Sequence, residues 1–186
     1  MTKNISETKQ NLMDAYWLLY SSPNQSKITV KMITDKAGYN RGTFYAYFLD
    51  IQDLHNQIEE NLLPSDKIFE KIRDATFEKN GQKILEIFMQ EEKASGDKLN
   101  LLLGSQGSLN FQTKLKNKLK ELILKYAPLK LEDSKNVINY KANIVCSIFY
   151  ETIRYWYDEG KEKFTGEKLL KLMSSIIFCG VINEKT

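Results

Sequence analysis

The chain has 186 residues, enough for one or two domains that bury a real apolar core. Its net charge is only +3, so overall charge makes no case for a polyanionic partner; the placement of the charges has to. Two cysteines, one histidine and the absence of P-loop, G-x-S-x-G, H-E-x-x-H and C-x-x-C patterns argue against metal, redox and acid–base enzymes, so neither catalysis nor a cofactor is expected.

The first residues, MTKNISETKQ, lack the apolar core of a signal peptide. No apolar run, 176–179 included, is long enough to span a bilayer, so the expectation is a cytoplasmic protein with no membrane partner. A first helix starts near Ser6, with Leu12, Ala15, Tyr16 and Leu19 on one face, and ends before Ser21-Ser22-Pro23-Asn24. From Met1 to Phe48 the bases Lys3, Lys9, Lys27, Lys31, Lys36 and Arg41 outnumber the acids Glu7, Asp14 and Asp35. That gives the segment a modest positive face.

The stretch Ile28 to Leu54 carries the most information. Thr29 is placed to cap a helix whose apolar residues are Val30, Ile33 and Ala37. Gly38 stands where that helix must stop and the chain must turn. Asn40 can cap a second helix running through Arg41-Gly42-Thr43-Phe44-Tyr45-Ala46-Tyr47-Phe48, with Phe44 and Phe48 as core. Two helices joined by a short glycine-containing turn make a helix-turn-helix, whose second helix enters the DNA major groove. Asp50 caps a further helix with Ile51, Leu54 and Ile58 on its apolar face, and Asp53 favours its dipole. Pro64 marks the domain junction, giving units 1–63 and 64–186.

Beyond it the periodicity predicts a helix from Ile68 to about Asn80-Gly81, and another through Ile84, Ile87, Phe88 and Glu91. A short Leu99–Leu103 run ends at Gly104, and a loop follows to Ser108. A long amphipathic helix carries Phe111, Leu115, Leu119, Leu122 and Ile123, with lysines 114, 116, 118 and 120 as a solvated face. The next runs from about Asp133 to Glu159 and ends at Gly160; the last starts near Thr165. Cys146 and Cys179 fall in apolar helical patterns, as buried reduced thiols would.

The run Ala37-Gly38-Tyr39-Asn40-Arg41-Gly42-Thr43-Phe44-Tyr45-Ala46-Tyr47-Phe48, with Thr29, Val30 and Ile33 in register, resembles the TetR family of bacterial transcriptional regulators. Leu99 to Leu115 and Ile153-Arg154-Tyr155-Trp156-Tyr157-Asp158-Glu159-Gly160 resemble one C-terminal branch of that family, some members of which act by binding partner proteins. The resemblance implies an all-α protein. An N-terminal three-helix helix-turn-helix domain would bind DNA, and a C-terminal helical domain would dimerise and hold an effector. The implied function is a DNA-binding regulator, a repressor, that reads a palindromic operator in double-stranded DNA as a homodimer and is released by a small-molecule effector. The alternative is a ligand-independent regulator working through a protein partner.

Within the reading helix, the planar fork of Arg41 can bond guanine O6 and N7 together, which makes it the candidate base reader; a phosphate contact is the other reading. Gly42 lets backbone approach DNA, and Thr43 offers a methyl to thymine or a hydroxyl to phosphate. The resemblance implies that Tyr45 and Tyr47 face DNA, Tyr47 on phosphate; packing of Tyr45 in the core is the competing reading. Thr29, Lys27 and Lys31 are candidate phosphate contacts, with Asn40 at the turn beside them. Relatives usually carry a phosphate-clamping lysine where this chain has Ile51. A lone His55 reads as a surface or junction residue.

One helix-turn-helix reads too few base pairs to select a genomic site, so a dimer is expected. The candidate interface residues are Val145, Ile148, Thr152, Leu169, Met173, Ile176, Ile177 and Gly180 on the last two helices. Aromatic candidates for a ligand-pocket wall are Phe88, Phe111, Tyr126, Tyr140, Phe149, Tyr150 and Trp156, and a plain packed core explains them equally well.

Overall fold

The structure is a computed structural model and describes residues 6–22, 27–77, 81–104, 107–127 and 134–177. Every regular element among the described residues is helical. The chain divides into two compact units, Met1–Leu62 and Leu63–Thr186.

The N-terminal unit holds α1 (Glu7–Tyr20), α2 (Val30–Ala37), α3 (Arg41–Tyr45) and α4 (Ile51–Asn61). Each starts at a polar side chain that accepts from a backbone N–H otherwise left without a partner. Ser6 accepts from Lys9, Thr29 from Met32, Asn40 from Thr43 and Asp50 from Asp53. The start of α4 is tied twice, because the Asp53 carboxylate in turn accepts from the Leu49 N–H at 2.9 Å. Leu12, Met13, Tyr16, Ile33, Phe44, Phe48, Leu54 and Ile58 form the core. Burial of each large apolar side chain is worth about 1.5–3 kcal/mol.

The C-terminal unit holds α5 (Asp66–Phe77), α6 (Gly81–Leu103), α7 (Leu109–Tyr126), α8 (Lys135–Tyr155), a π-helical turn (Trp156–Gly160), α9 (Lys161–Lys163) and α10 (Gly166–Ile176). The main seam is α7 against α8, where Leu115, Leu119 and Leu122 of the one and Ala142, Val145 and Cys146 of the other are buried. The Cys146 thiol donates to the Lys116 carbonyl at 3.4 Å, and burial pushes its pKa up, as an inert thiol requires. Cys179 lies outside the described residues.

Two boundaries and one surface differ from the sequence reading. The segments around Ile84–Glu91 and Leu99–Leu103 join in one 23-residue helix, α6, which Gly81 opens. The residues between them, Glu92 to Lys98, have no apolar face and include Ser95-Gly96-Asp97, weak helix formers that read as a break, yet the helix runs through them. Gly160 does not end its helix. It closes the π-helical turn, and the Phe164 N–H still donates to its carbonyl at 2.8 Å. The lysines of α7 are not simply solvated. Lys118 bonds Glu121 at 2.8 Å and lies 4.0 Å from Asp66, while the Lys116 ammonium sits 4.1 Å from the centre of the Tyr150 ring.

Candidate functional site

In the N-terminal unit, α2 and α3 meet at Gly38, the one glycine among the described residues with positive φ, at +75°. A side chain there would be strained, and this conformation lets the Tyr39 N–H donate back to the Thr34 carbonyl at 2.9 Å, closing α2. Tyr39 is also held from α1, where the Asn11 amide donates to its hydroxyl at 3.1 Å. Asn40 then starts α3, its Oδ1 accepting from both the Thr43 N–H (2.9 Å) and the Thr43 hydroxyl (3.2 Å).

The helix that follows has two faces. Phe44 is fully buried, and Phe48 beyond the helix end is 2% exposed; their rings lie 5.4 Å apart. Opposite them Arg41, Gly42 and Tyr45 are exposed, and Thr43 and Tyr47 half-exposed. Tyr45, 59% exposed, is therefore no core residue. The helix stops at Tyr45, earlier than the sequence pattern extends, and a tight Tyr47 N–H to Phe44 carbonyl bond leads the chain out. Lys27, Thr29 and Lys31 are exposed as well. The Thr29 hydroxyl accepts from Met32, and Lys31 lies 3.4 Å from Asp35. Such an exposed pair is worth little and yields readily to a phosphate. Gly42 has a reason inside the protein, since a Cβ there would sit 3.2 Å from Asn40 Oδ1, the capping oxygen. Ile51 is half-buried at the first turn of α4.

His55 is neither a plain surface residue nor isolated. Its Nδ1 is 2.9 Å from the Tyr16 hydroxyl and its Nε2 is 3.1 Å from Glu59 Oε1. Glu59 is fully buried, and burial, with Tyr20 and Glu59 nearby, raises the Tyr16 pKa far above its ordinary value. The unit thus contains a buried polar cluster that ties α1 to α4. Period-3.6 reasoning missed it because its partner, Tyr16, lies 39 residues away in sequence.

The C-terminal unit contains a cavity of about 690 Å³ that is partly open to solvent. Its wall comes from five helical segments: Ile68, Phe69 and Ile72 of α5; Ile84, Ile87 and Phe88 of α6; Leu119, Ile123 and Tyr126 of α7; Val145, Phe149 and Thr152 of α8; and Leu169, Met173 and Ile177 at α10 and its end. Of the aromatic candidates, Phe88, Tyr126 and Phe149 stand on this wall. The other four do not. Phe111 is fully buried away from it, Tyr140 is 68% exposed, and Tyr150 is buried with its hydroxyl donating to Gln112 at 3.0 Å. Trp156 is buried behind Phe88, edge-on at 5.5 Å, with its indole N–H 3.4 Å from Glu92. The wall is mostly aliphatic, so a search for aromatics was bound to miss most of it.

Five residues expected at a subunit interface, Val145, Thr152, Leu169, Met173 and Ile177, line this cavity. Ile148 is half-buried, Ile176 is 57% exposed, and Gly180 lies outside the described residues. The apolar side chains that α8 and α10 present outward are Val137, Tyr140, Ile144, Leu172 and Ile176. Both helices are apolar on two faces, and periodicity could not tell the inner stripe from the outer one, displaced by a single residue.

Among the described residues no group of His, Cys, Asp and Glu could hold a metal ion, and no helix is long and apolar enough to cross a membrane.

No family model and no curated protein matches the sequence. Solved structures do. The dihydroxyacetone kinase operon activator DhaS superposes with a TM-score of 0.64 at 18% identity, over 94% of this chain and 96% of that one. A TetR transcriptional regulator from Streptococcus agalactiae 2603V gives 0.63 at 26% identity, over 93% and 94%. The fatty acid degradation regulator FadR from Bacillus halodurans gives 0.59 at 16% identity, over 96% and 98%. The likeness spans both units and singles out no branch, and it establishes that this chain has the all-α fold of the TetR-type regulators.

Proposed function

We propose that this protein is a DNA-binding transcriptional regulator, a repressor that reads a palindromic operator as a homodimer and is released by a small-molecule effector. The observation that carries the reading is the division of α3. Phe44 anchors it inside, while Arg41, Gly42 and Tyr45 are left in solvent at the turn fixed by Gly38. A short helix pinned by one aromatic and presenting a guanidinium, a bare backbone and a phenol is built to lie against a groove rather than to pack. Lys27, Thr29, Lys31, Asn40, Thr43 and Tyr47 surround it as positioning contacts to phosphate.

Two readings heads are needed for a palindrome, and the outward stripe of Val137, Tyr140, Ile144, Leu172 and Ile176 supplies an apolar surface for pairing. The cavity favours a small-molecule effector over regulation through a protein partner, because well-packed interiors keep few voids larger than a water molecule. The test is binding of the full-length protein to DNA fragments flanking its gene, at two salt concentrations. A shifted fragment with a palindromic footprint and affinity that falls steeply with salt is expected. Uniform weak binding to every fragment would refute a sequence-reading regulator.

A further inference from the structure

We propose that the cavity of the C-terminal unit takes an uncharged, predominantly apolar molecule, a long chain or fused rings bearing no more than a lone hydroxyl. The proposal rests on reading that cavity as the effector site, and it names the chemical class the wall can hold.

The first argument is size. About 690 Å³ lies within the range of ~300–1,000 Å³ that accommodates drug-sized ligands. The second is the wall. The wall is built mostly from Ile, Leu, Val, Met and Phe, whose side chains offer no hydrogen bond. An apolar cavity of this kind gains nothing from water, so an apolar occupant displaces nothing of value and buries its own surface.

The third argument is what the polar groups on the wall are already doing. The Thr152 hydroxyl donates to the Ile148 carbonyl at 2.7 Å. The Tyr126 hydroxyl donates to Asp66 at 2.9 Å and lies 3.1 Å from Glu70. Arg73 is bonded through Nε and one terminal nitrogen to Asp74 at 3.0 and 2.8 Å. Glu91, the remaining ionisable wall residue, is exposed and opposite in sign to Arg73. No buried side-chain nitrogen or oxygen among the described residues lacks a partner. A sugar, a nucleotide or a phosphorylated metabolite would bring many donors and acceptors into a space with almost nothing to meet them. Arg73 and Glu91, the charged groups on the wall, are open to solvent, so a charge carried among the buried apolar residues would have no counter-charge beside it. A single hydroxyl can be met by Ser174, which lies on the wall.

The experiment uses the full-length protein and the neutral dye phenylnaphthylamine, followed by fluorescence. Saturable binding of one dye per protomer is expected. Dodecanol should displace it about tenfold or more better than dodecanoate or dodecyltrimethylammonium, because only the charged pair must bury an unmet charge. Two variants locate the site. Val145→Trp fills the cavity and should abolish dye binding. Phe149→Ala enlarges it and should shift the preference from dodecanol toward hexadecanol. Circular dichroism checks that each is folded, and the wild-type ligand order stands independently of both. Absence of saturable binding, a preference for either charged chain, or folded variants that bind like wild type would overturn the proposal. DNA release is scored separately: dodecanol binding without loss of operator affinity supports the ligand class and counts only against the effector role.

Discussion

The imidazole of His55 bridges two helices by joining the Tyr16 hydroxyl, 2.9 Å from Nδ1, to the buried carboxylate of Glu59, 3.1 Å from Nε2. Tyr16 lies on α1 and the other two on α4, so the cluster fixes how α4 sits on the helix behind the reading motif. Truncating the imidazole would strip a fully buried carboxylate of one partner. His55→Ala should therefore destabilise the protein by about 2 kcal/mol or more, and His55→Gln, which can still donate to Glu59, should recover part of it. Urea unfolding curves of both variants measure this. A change below about 0.5 kcal/mol for His55→Ala, the range of ordinary surface substitutions, would show the cluster to be dispensable.

Arg41 and Lys31 should fail differently on DNA. Arg41→Ala is expected to weaken operator binding by about 1–3 kcal/mol per bidentate contact and to relax preference at one position in each half-site. Lys31→Ala should weaken all sequences alike and lower the salt slope by about one unit, for one fewer phosphate contact. Binding to a set of single-base operator variants separates the two, and an unchanged preference in Arg41→Ala would remove it as the base reader.

Ile51 holds the place where a phosphate clamp would otherwise stand, and it is only half-buried. Ile51→Lys should cost little stability, because the aliphatic stem of lysine can cover the same surface while its head reaches solvent. It should also tighten DNA binding and steepen the salt dependence by about one unit. A thermal melt paired with binding at two salt concentrations is the check. A large drop in Tm without tighter binding would identify Ile51 as a packing residue.

The Asp53 carboxylate titrates below its ordinary value of 3.8, chiefly because the Leu49 N–H donates to it and then because the Gln57 amide does. A carboxyl whose folded pKa is depressed adds stability that is present above the unfolded value and lost as pH falls through the folded one. The stability gap between wild type and Asp53→Asn should accordingly be constant near neutrality and close as the pH drops below about 4. Denaturation midpoints measured from neutral pH down to that range test this. A gap that widens with acid would contradict it.

The outward stripe on α8 and α10 predicts where dimerisation can be broken. Ile144→Glu with Ile176→Glu should convert a particle of twice 21.7 kDa into one of 21.7 kDa by light scattering, with helix content unchanged. Each glutamate would sit on a surface already open to solvent in the protomer. A double variant that stays dimeric would place the interface elsewhere.

Much of the reading unit was legible because its determinants are local. A helix cap bonds a backbone N–H three residues on, as Thr29, Asn40 and Asp50 do, and the turn at Gly38 needs a backbone conformation that one residue type supplies freely. The spacing of Phe44 and Phe48 by four residues marked both as core, which the structure shows, while the exposure of Tyr45 was left open until the packing of α3 put it in solvent.

Tertiary structure decided what local spacing cannot encode. The bond from Tyr16 to His55 spans 39 positions, and nothing in either neighbourhood announces it. The difference between Val145 and Ile144, or between Ile177 and Ile176, is one step along a helix that is apolar on both sides. Which step faces the cavity depends on where four other helices sit. The cavity itself arises where five helical segments leave a space among them, and a void has no residues of its own to be read. The sequence thus determined the helical class, the N-terminal caps and the turn before α3 through interactions within a turn or two. The packing of distant helices decided the polar cluster, the inward and outward stripes and the cavity, because burial is a property of the assembled fold and not of any one segment.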